Sequence, residues 1–217
     1  PADKPQTPKH TFDASKYLRF FDRPFLNEAA RTFLFDQRKL DPRVVSWCRL
    51  NSFTDKQGTS WLQIPYYDID GHLIGVQSRN LSYQSSSINN QSSSAPRFKF
   101  PYGHTCHIYN LPVLKLLKKG EPLFITEGAS DCWAMLSSGH KAVAIPSATL
   151  LKPQDLQILS TLNSQLSTVL HMYPDQDEPG ERLFLDLRRL LGSPSSIVRH
   201  QLPPDYKDYS DYYLSKH

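Results

Sequence analysis

At 217 residues, 39% of them hydrophobic and 21% charged, the chain is long enough for one large domain or two small ones with a real core. No apolar run reaches the length of a membrane span and no signal-peptide pattern opens the sequence, so membrane-spanning and exported classes are set aside in favour of a cytoplasmic protein. The net charge of +4 is unevenly spread: residues 1–126 carry 17 Lys/Arg against 10 Asp/Glu, residues 127–217 carry 8 against 11, a balance suited to a polyanion at the front and cations at the rear.

In chain order, "PADKPQTPKH" starts at a proline rather than a methionine and reads as a flexible linker over 1–15, cut from a longer polypeptide. Residues 16–120 follow as a smaller basic α+β unit. "LNEAARTFLFDQRKL" predicts a helix capped by Asn27, and "LDPRVVSWCRL" a second with Asp41 as cap and Pro42 in its first turn. "SWLQIPYYDIDGHLIGVQSRNL" predicts a hairpin turning at Gly71. The polar "SYQSSSINNQSSSAP" reads as a mobile loop, "RFKF" as a short strand and "LPVLKLLKK" as a helix.

From residue 121 to 217 the period changes. "PLFIT", "KAVAI", "STVLHMY" and "SIVRHQL" predict strands, with helices over "ASDCWAMLSSG", "KPQDLQILSTLN", "EPGERLFLDLRRLLG" and "KDYSDYYLSK". Short apolar strands alternating with helices imply an α/β fold, a parallel sheet of about four strands covered on both faces. Polar groups that matter in such sheets lie beyond the carboxyl ends of the strands. Glu127, then Asp175 and Asp177, then Asp205 and Asp208 fall there. Taken alone, Asp-x-Asp before Pro-Gly reads as a turn at least as readily as a metal site.

Cys48, Cys106 and Cys132 form no C-x-x-C pair, which argues against a zinc ribbon or a disulfide framework. His104, Cys106 and His107 are too crowded to read as a metal site. Phe33, Phe35, Tyr212 and Tyr213 read as core, and nothing in the pattern assigns base stacking to Tyr102 or Tyr109.

"ITEGASD", "YPDQDEPG" and "LPPDYKD" together resemble the Toprim module, a metal-binding α/β unit of bacterial-type primases, topoisomerases and some nucleases. Glu127, Gly128, Asp131, Asp175, Asp177 and Gly180 match its pattern in order, and Leu202, Pro203, Lys207 and Asp208 match the primase version of its tail. The front half, through "FLFDQRKLDPRVVSWCRL", "IPYYDIDGHLIGVQSRNL", "PRFKFP" and "IYNLPVL", is similar to the catalytic core of bacterial DnaG-type primases, so that the resemblance covers about residues 27–215. Two departures stand out. "IPSATL" has Pro146 where the family has a small flexible residue, and Arg97 stands where the family usually has lysine.

The resemblance implies Mg²⁺ or Mn²⁺, with no zinc in this chain. Glu127, Asp175, Asp177 and Asp208 are the expected metal ligands, and Glu127, Asp131, Asp175 and Asp177 the expected catalytic carboxylates. Alternation along a strand end would set Asp175 and Asp177 on one side. Arg38, Arg79, Arg97, Lys99 and Lys207 are the expected contacts to template and nucleotide phosphates. The implied activity is primer synthesis: a nucleotidyltransferase copying single-stranded DNA into short RNA from ribonucleoside triphosphates. A zinc-binding domain and a replicative helicase are the partners expected for the parent protein, and no membrane. A Toprim nuclease and a non-catalytic nucleic-acid-binding module are the alternatives. "DQR", "SRNL" and "PRFKFP" weigh against the first, the complete carboxylate set against the second.

Overall fold

The computed structural model of the chain describes residues 11–83, 96–105, 107–145, 153–192 and 197–217. Most of the Ser/Asn-rich run and the segment around Pro146 lie outside them, as do the first ten residues. Phe12 and Ala14, within the stretch expected to be linker, pack against Phe21, Leu73 and Val76, so the folded part begins earlier than the composition implied.

After a 3₁₀ turn at Ala14–Lys16 comes α1 (Leu18–Asp22). Asn27 caps α2 (Glu28–Arg31), its side chain accepting from the Ala30 amide at 2.9 Å, which leaves one fewer unsatisfied N–H at the helix start. The helix runs on through a wider π-helical turn, Thr32–Gln37, a geometry that often accompanies functional sites. Asp41 caps α3 (Pro42–Trp47) by accepting from the Arg43 amide at 2.7 Å.

Strands β1 (Asn51–Thr54), β2 (Ser60–Tyr67), β3 (Leu73–Asn80) and β4 (Phe98–Lys99) form an antiparallel sheet in that order. The hairpin turns where predicted: Asp68 accepts from the amides of Asp70 and His72, and Gly71 has φ 89°. The strand β1 was not foreseen, because "NSFT" has no apolar alternation; it pairs from Asn51↔Gln63 to Thr54↔Ser60. The segment Leu111–Leu116, expected to be an α-helix, is 3₁₀. Leu111, Leu114 and Leu117 are all buried, and their spacing of three suits a helix that repeats every three residues.

The second half follows the predicted alternation: β5 (Leu123–Glu127), α4 (Ala129–Ser137), β6 (Ala142–Ile145), α5 (Pro153–Leu166), β7 (Leu170–Met172), α6 (Glu178–Leu190), β8 (Ile197–Arg199) and α7 (Tyr209–Leu214). The strands lie parallel in the order β6-β5-β7-β8. Alternate residues face opposite sides. Leu123, Ile125, Val143, Ile145, Leu170 and Met172 pack with Leu159 of α5 and Leu183, Phe184 and Leu187 of α6. On the other face Phe124, Ala142 and Ala144 meet Cys132 to Met135 of α4 and Tyr209 and Tyr213 of α7. Each aliphatic side chain so buried contributes about 1.5–3 kcal/mol.

That second core is shared with the front half, since it also contains Phe33, Leu34, Leu40, Leu50, Leu62 and Tyr66. Polar links reinforce it. Tyr213 donates to the Lys39 carbonyl at 2.7 Å, Trp47 to Asn110 Oδ1 at 2.9 Å, and the Asp41 amide to Ser137 Oγ at 3.1 Å. The carboxyl ends of β5 and β7 thereby face the antiparallel sheet across a cleft.

Candidate active site

The cleft encloses about 390 Å³ and is lined from one side by Glu127, Asp131, Asp175, Lys207 and Asp208, from the other by Arg38, Arg79 and Arg97. Glu127 is the last residue of β5, and Gly128 follows with φ 84°, a turn that glycine makes without strain. It brings Asp131 into the first turn of α4, where it is only 8% exposed. Its Oδ1 accepts from the Ser210 amide at 2.8 Å, tying α4 to the start of α7.

Strand β7 stops at Met172, so Asp175 and Asp177 lie beyond it, and strand alternation does not set their directions. Asp175 faces the cleft. Asp177 is exposed and caps α6, accepting from the Gly180 amide at 3.0 Å, with Lys207 Nζ 4.0 Å from its carboxylate; it borders a neighbouring groove that also includes Asp175. Asp208 caps α7 in the same manner, accepting from the Asp211 amide at 2.9 Å.

Gln176, to which no role was assigned from sequence, joins these loops. Its amide donates to the Lys207 carbonyl at 2.8 Å and its side chain to the carbonyls of Pro203 and Tyr206. No sequence signal marked it, because its partners lie about 30 residues away.

Burial, reinforced by mutual repulsion, raises carboxylates of the acidic wall. Burial, then Asp131, Glu127, Asp208 and Asp177, push Asp175 up to about 8. Burial and then Asp208 raise Asp131 to about 7, against the pull of the Ser210 amide and Arg38. Glu127 is raised by burial and Asp177, and its Oε1 is buried without a hydrogen-bond partner. Carboxylates gathered around one cleft, with a buried and unpartnered oxygen on Glu127, suit a hard divalent cation such as Mg²⁺ or Mn²⁺.

Among the described residues one group brings three potential ligand atoms within 4.8 Å of one another: Asp68, Asp70 and His72, in the hairpin turn. The cleft carboxylates are spaced more widely. The turn's oxygens are already engaged, however. Asp68 accepts from two amides and lies 3.0 Å from His72 Nδ1, and Asp70 pairs with Lys115 at 2.7 Å. In the cleft, by contrast, Glu127 keeps a buried oxygen without a hydrogen-bond partner.

On the basic wall, the guanidinium groups of Arg38 and Arg79 sit 5.4 and 4.9 Å from the ring of Phe33, and those of Arg79 and Arg97 flank Phe98 at 5.8 and 5.2 Å. Cation–π contact of this kind holds the three charges in place. Burial first, and then the neighbouring charges of Arg38 and Arg97, bring Arg79 down to about 10, as burial of a cation beside two others requires. Arg38 also reaches Ser210 Oγ at 3.4 Å. Phe33, read from sequence as core, is therefore also the shelf on which two of these charges rest. Lys99 is not in the cleft. It lies over Trp61 at 3.9 Å and 3.8 Å from Asp55, on the opposite side of β4 from Phe98.

Fold and cleft define an α/β protein in which a four-stranded parallel sheet presents carboxylates to a basic antiparallel sheet. More particularly, the chain resembles the RNA-polymerase core of bacterial DnaG-type primases. No family model matches it. The DNA primase of Mycoplasma genitalium is 25% identical over 206 residues, covering 88% of this chain and 32% of that protein; the chain thus spans about a third of its curated relative. Among solved structures, the RNA polymerase domain of Mycobacterium tuberculosis DnaG superposes with a TM-score of 0.67 at 16% identity, over 92% of this chain and 77% of that one. A DnaG catalytic domain bound to single-stranded DNA gives 0.61 at 16% identity, over 94% and 74%. No helix of the described residues is long and apolar enough to cross a membrane.

Proposed function

We propose that this chain is the catalytic core of a DNA primase, which copies single-stranded DNA into short RNA by metal-dependent nucleotidyl transfer. The observation that carries the reading is the single cleft in which Glu127, Asp131, Asp175 and Asp208 face Arg38, Arg79 and Arg97. In this reading residues 16–120 are the basic subdomain and 121–217 the Toprim domain.

Glu127, Asp175, Asp177 and Asp208 would hold one or two divalent cations, with Asp177 turning in from its capping position. When bound, such ions neutralise developing phosphoryl charge and help align the attacking hydroxyl. The chain's own groups do the rest. Arg38, Arg79 and Arg97 bind the phosphates of nucleotide and template, held in place by Phe33 and Phe98. Asp131, which shares a hydrogen bond with the Ser210 amide, fixes α4 against α7 and keeps Glu127 and Asp208 at a constant separation. Glu127, raised and unpartnered on one oxygen, is suited to take the proton of the attacking hydroxyl. Lys207 faces the same phosphates from the loop that Gln176 secures. In a longer parent protein a zinc-binding domain and a replicative helicase complete the set of partners.

The test is incubation of the chain with single-stranded DNA, labelled ribonucleoside triphosphates and Mg²⁺ or Mn²⁺, beside Asp175→Ala. Short RNA that disappears in the variant is expected. Cleavage of the DNA without RNA synthesis would replace this reading with that of a Toprim nuclease.

A further inference from the structure

Phe100 is a large apolar side chain left 49% exposed in the lining of the cleft, which it shares with the charges of Arg79 and Arg97 and the rings of Tyr66 and Phe98. It does not stand alone. The Pro101–His104 turn, closed by the His104 amide donating to the Pro101 carbonyl at 3.1 Å with Gly103 at φ 76°, folds the His104 ring back onto it. The two rings stack at 4.9 Å with an interplanar angle of 29°. His104 is in turn wedged edge-on against Tyr66 at 5.9 Å. Room for its ring exists because residue 75 is glycine: a Cβ there would stand 2.8 Å from His104 Cε1 and Nδ1. The inner face of Phe100 is thus backed by a positioned ring, and the phenyl lies in the same lining as Arg79 and Arg97.

We propose that Phe100, backed by His104, is a stacking shelf for an unpaired nucleobase. The proposal rests on the reading of the cleft as a primase site and adds a base contact to its phosphate contacts. A flat exposed ring beside guanidinium groups is the pairing that single-stranded nucleic acid uses, base on ring and phosphate on cation. The base belongs either to the template or to the incoming ribonucleotide, and the two sources separate by experiment.

Binding of the chain to a labelled oligodeoxythymidylate, to the same oligonucleotide with abasic sites, and to a fluorescent ribonucleoside triphosphate is measured for wild type, Phe100→Ala, Phe100→Trp and Gly75→Ala. Phe100→Ala is expected to lose roughly five- to hundredfold in affinity for one probe. Phe100→Trp retains binding, and Gly75→Ala, which displaces His104, falls between. Loss for the thymidylate, with its advantage over the abasic strand abolished, assigns the shelf to the template. Loss for the triphosphate alone assigns it to the nucleotide. Affinities for both probes unchanged in Phe100→Ala overturn the shelf. A Phe100 effect on binding in a wild-type chain that synthesises no RNA with any template or metal would keep the shelf and overturn the primase reading alone.

Discussion

A Cβ added to Gly180 would lie 2.4 Å from the carbonyl oxygen of Asp175 and 2.8 Å from its amide nitrogen. The first turn of α6 therefore presses directly on the backbone of the residue at the centre of the acidic wall. The glycine five residues past Asp175 is a requirement for close approach, not a helix preference, since glycine inside a helix is itself costly.

Gly180→Ala is accordingly expected to displace the Asp175 loop. Backbone atoms cannot rotate aside, so overpacking costs about 1–3 kcal/mol of stability. Urea denaturation should report that loss, and RNA synthesis should fall further than stability alone requires, because Asp175 moves with the loop.

Gln176→Ala removes side-chain hydrogen bonds to Pro203 and Tyr206 at an exposed position with little packing to lose. Folding stability should change by less than about 1 kcal/mol. The loop bearing Lys207 and Asp208 is then held to the Asp175 segment only by the backbone bond from residue 176 to the Lys207 carbonyl, and the Mg²⁺ concentration for half-maximal RNA synthesis is expected to rise several-fold. A metal titration of activity, set beside a thermal melt, separates the two effects.

The metal-free chain should lose stability as pH rises. In the folded state Asp131 and Asp175 hold protons up to about 7 and about 8, whereas unfolded aspartates release theirs near ~3.9. The folded state binds more protons across that window, so this contribution is complete below about pH 4 and declines as pH passes through both folded values. Urea midpoints in EDTA at pH 6 and pH 9 test it. Asp175→Asn should flatten the difference, and saturating Mg²⁺ should reduce it by binding the ionised form.

Arg97 and Lys99 are two residues apart yet differ in what they can touch. Arg97→Ala should weaken binding to single-stranded DNA and lower the slope of log affinity against log salt by about one counterion's worth. Lys99→Ala should leave the slope within error of wild type, since that ammonium lies over Trp61 beside Asp55 and outside the cleft. Equal changes in slope would mean that bound nucleic acid reaches across β4.

What could be read from the sequence was local. Apolar periods marked the four parallel strands and their helices, Asn27 and Asp41 marked helix starts, Glu127 fell at a strand end and Asp175 in the loop beyond one. Each of these signals is complete within a few residues, because a cap or an alternation needs only its own neighbourhood. The short elements were less legible. The polar β1 carries no alternation, and a spacing of three apolar residues served the 3₁₀ turn at Leu111 as well as it would have served an α-helix.

The directions of the site residues belong to tertiary structure. Asp177 was expected beside Asp175, but β7 ends too early for alternation to reach either, and the first turn of α6 claimed its carboxylate as a cap. Lys99 was expected at a phosphate, but β4 is two residues long and its facing is set by pairing with β3, which delivers Phe98 to the cleft and Lys99 to Trp61. The Phe33 ring that carries Arg38 and Arg79, the Ser210 amide on Asp131 and the Gln176 tie to the 203–207 loop all join residues distant in the chain. The α/β alternation, the caps and the inventory of carboxylates and arginines are thus local properties of the chain. Only the packing of the shared core, which holds the antiparallel sheet against the ends of β5 and β7, decided which of those charges face one another.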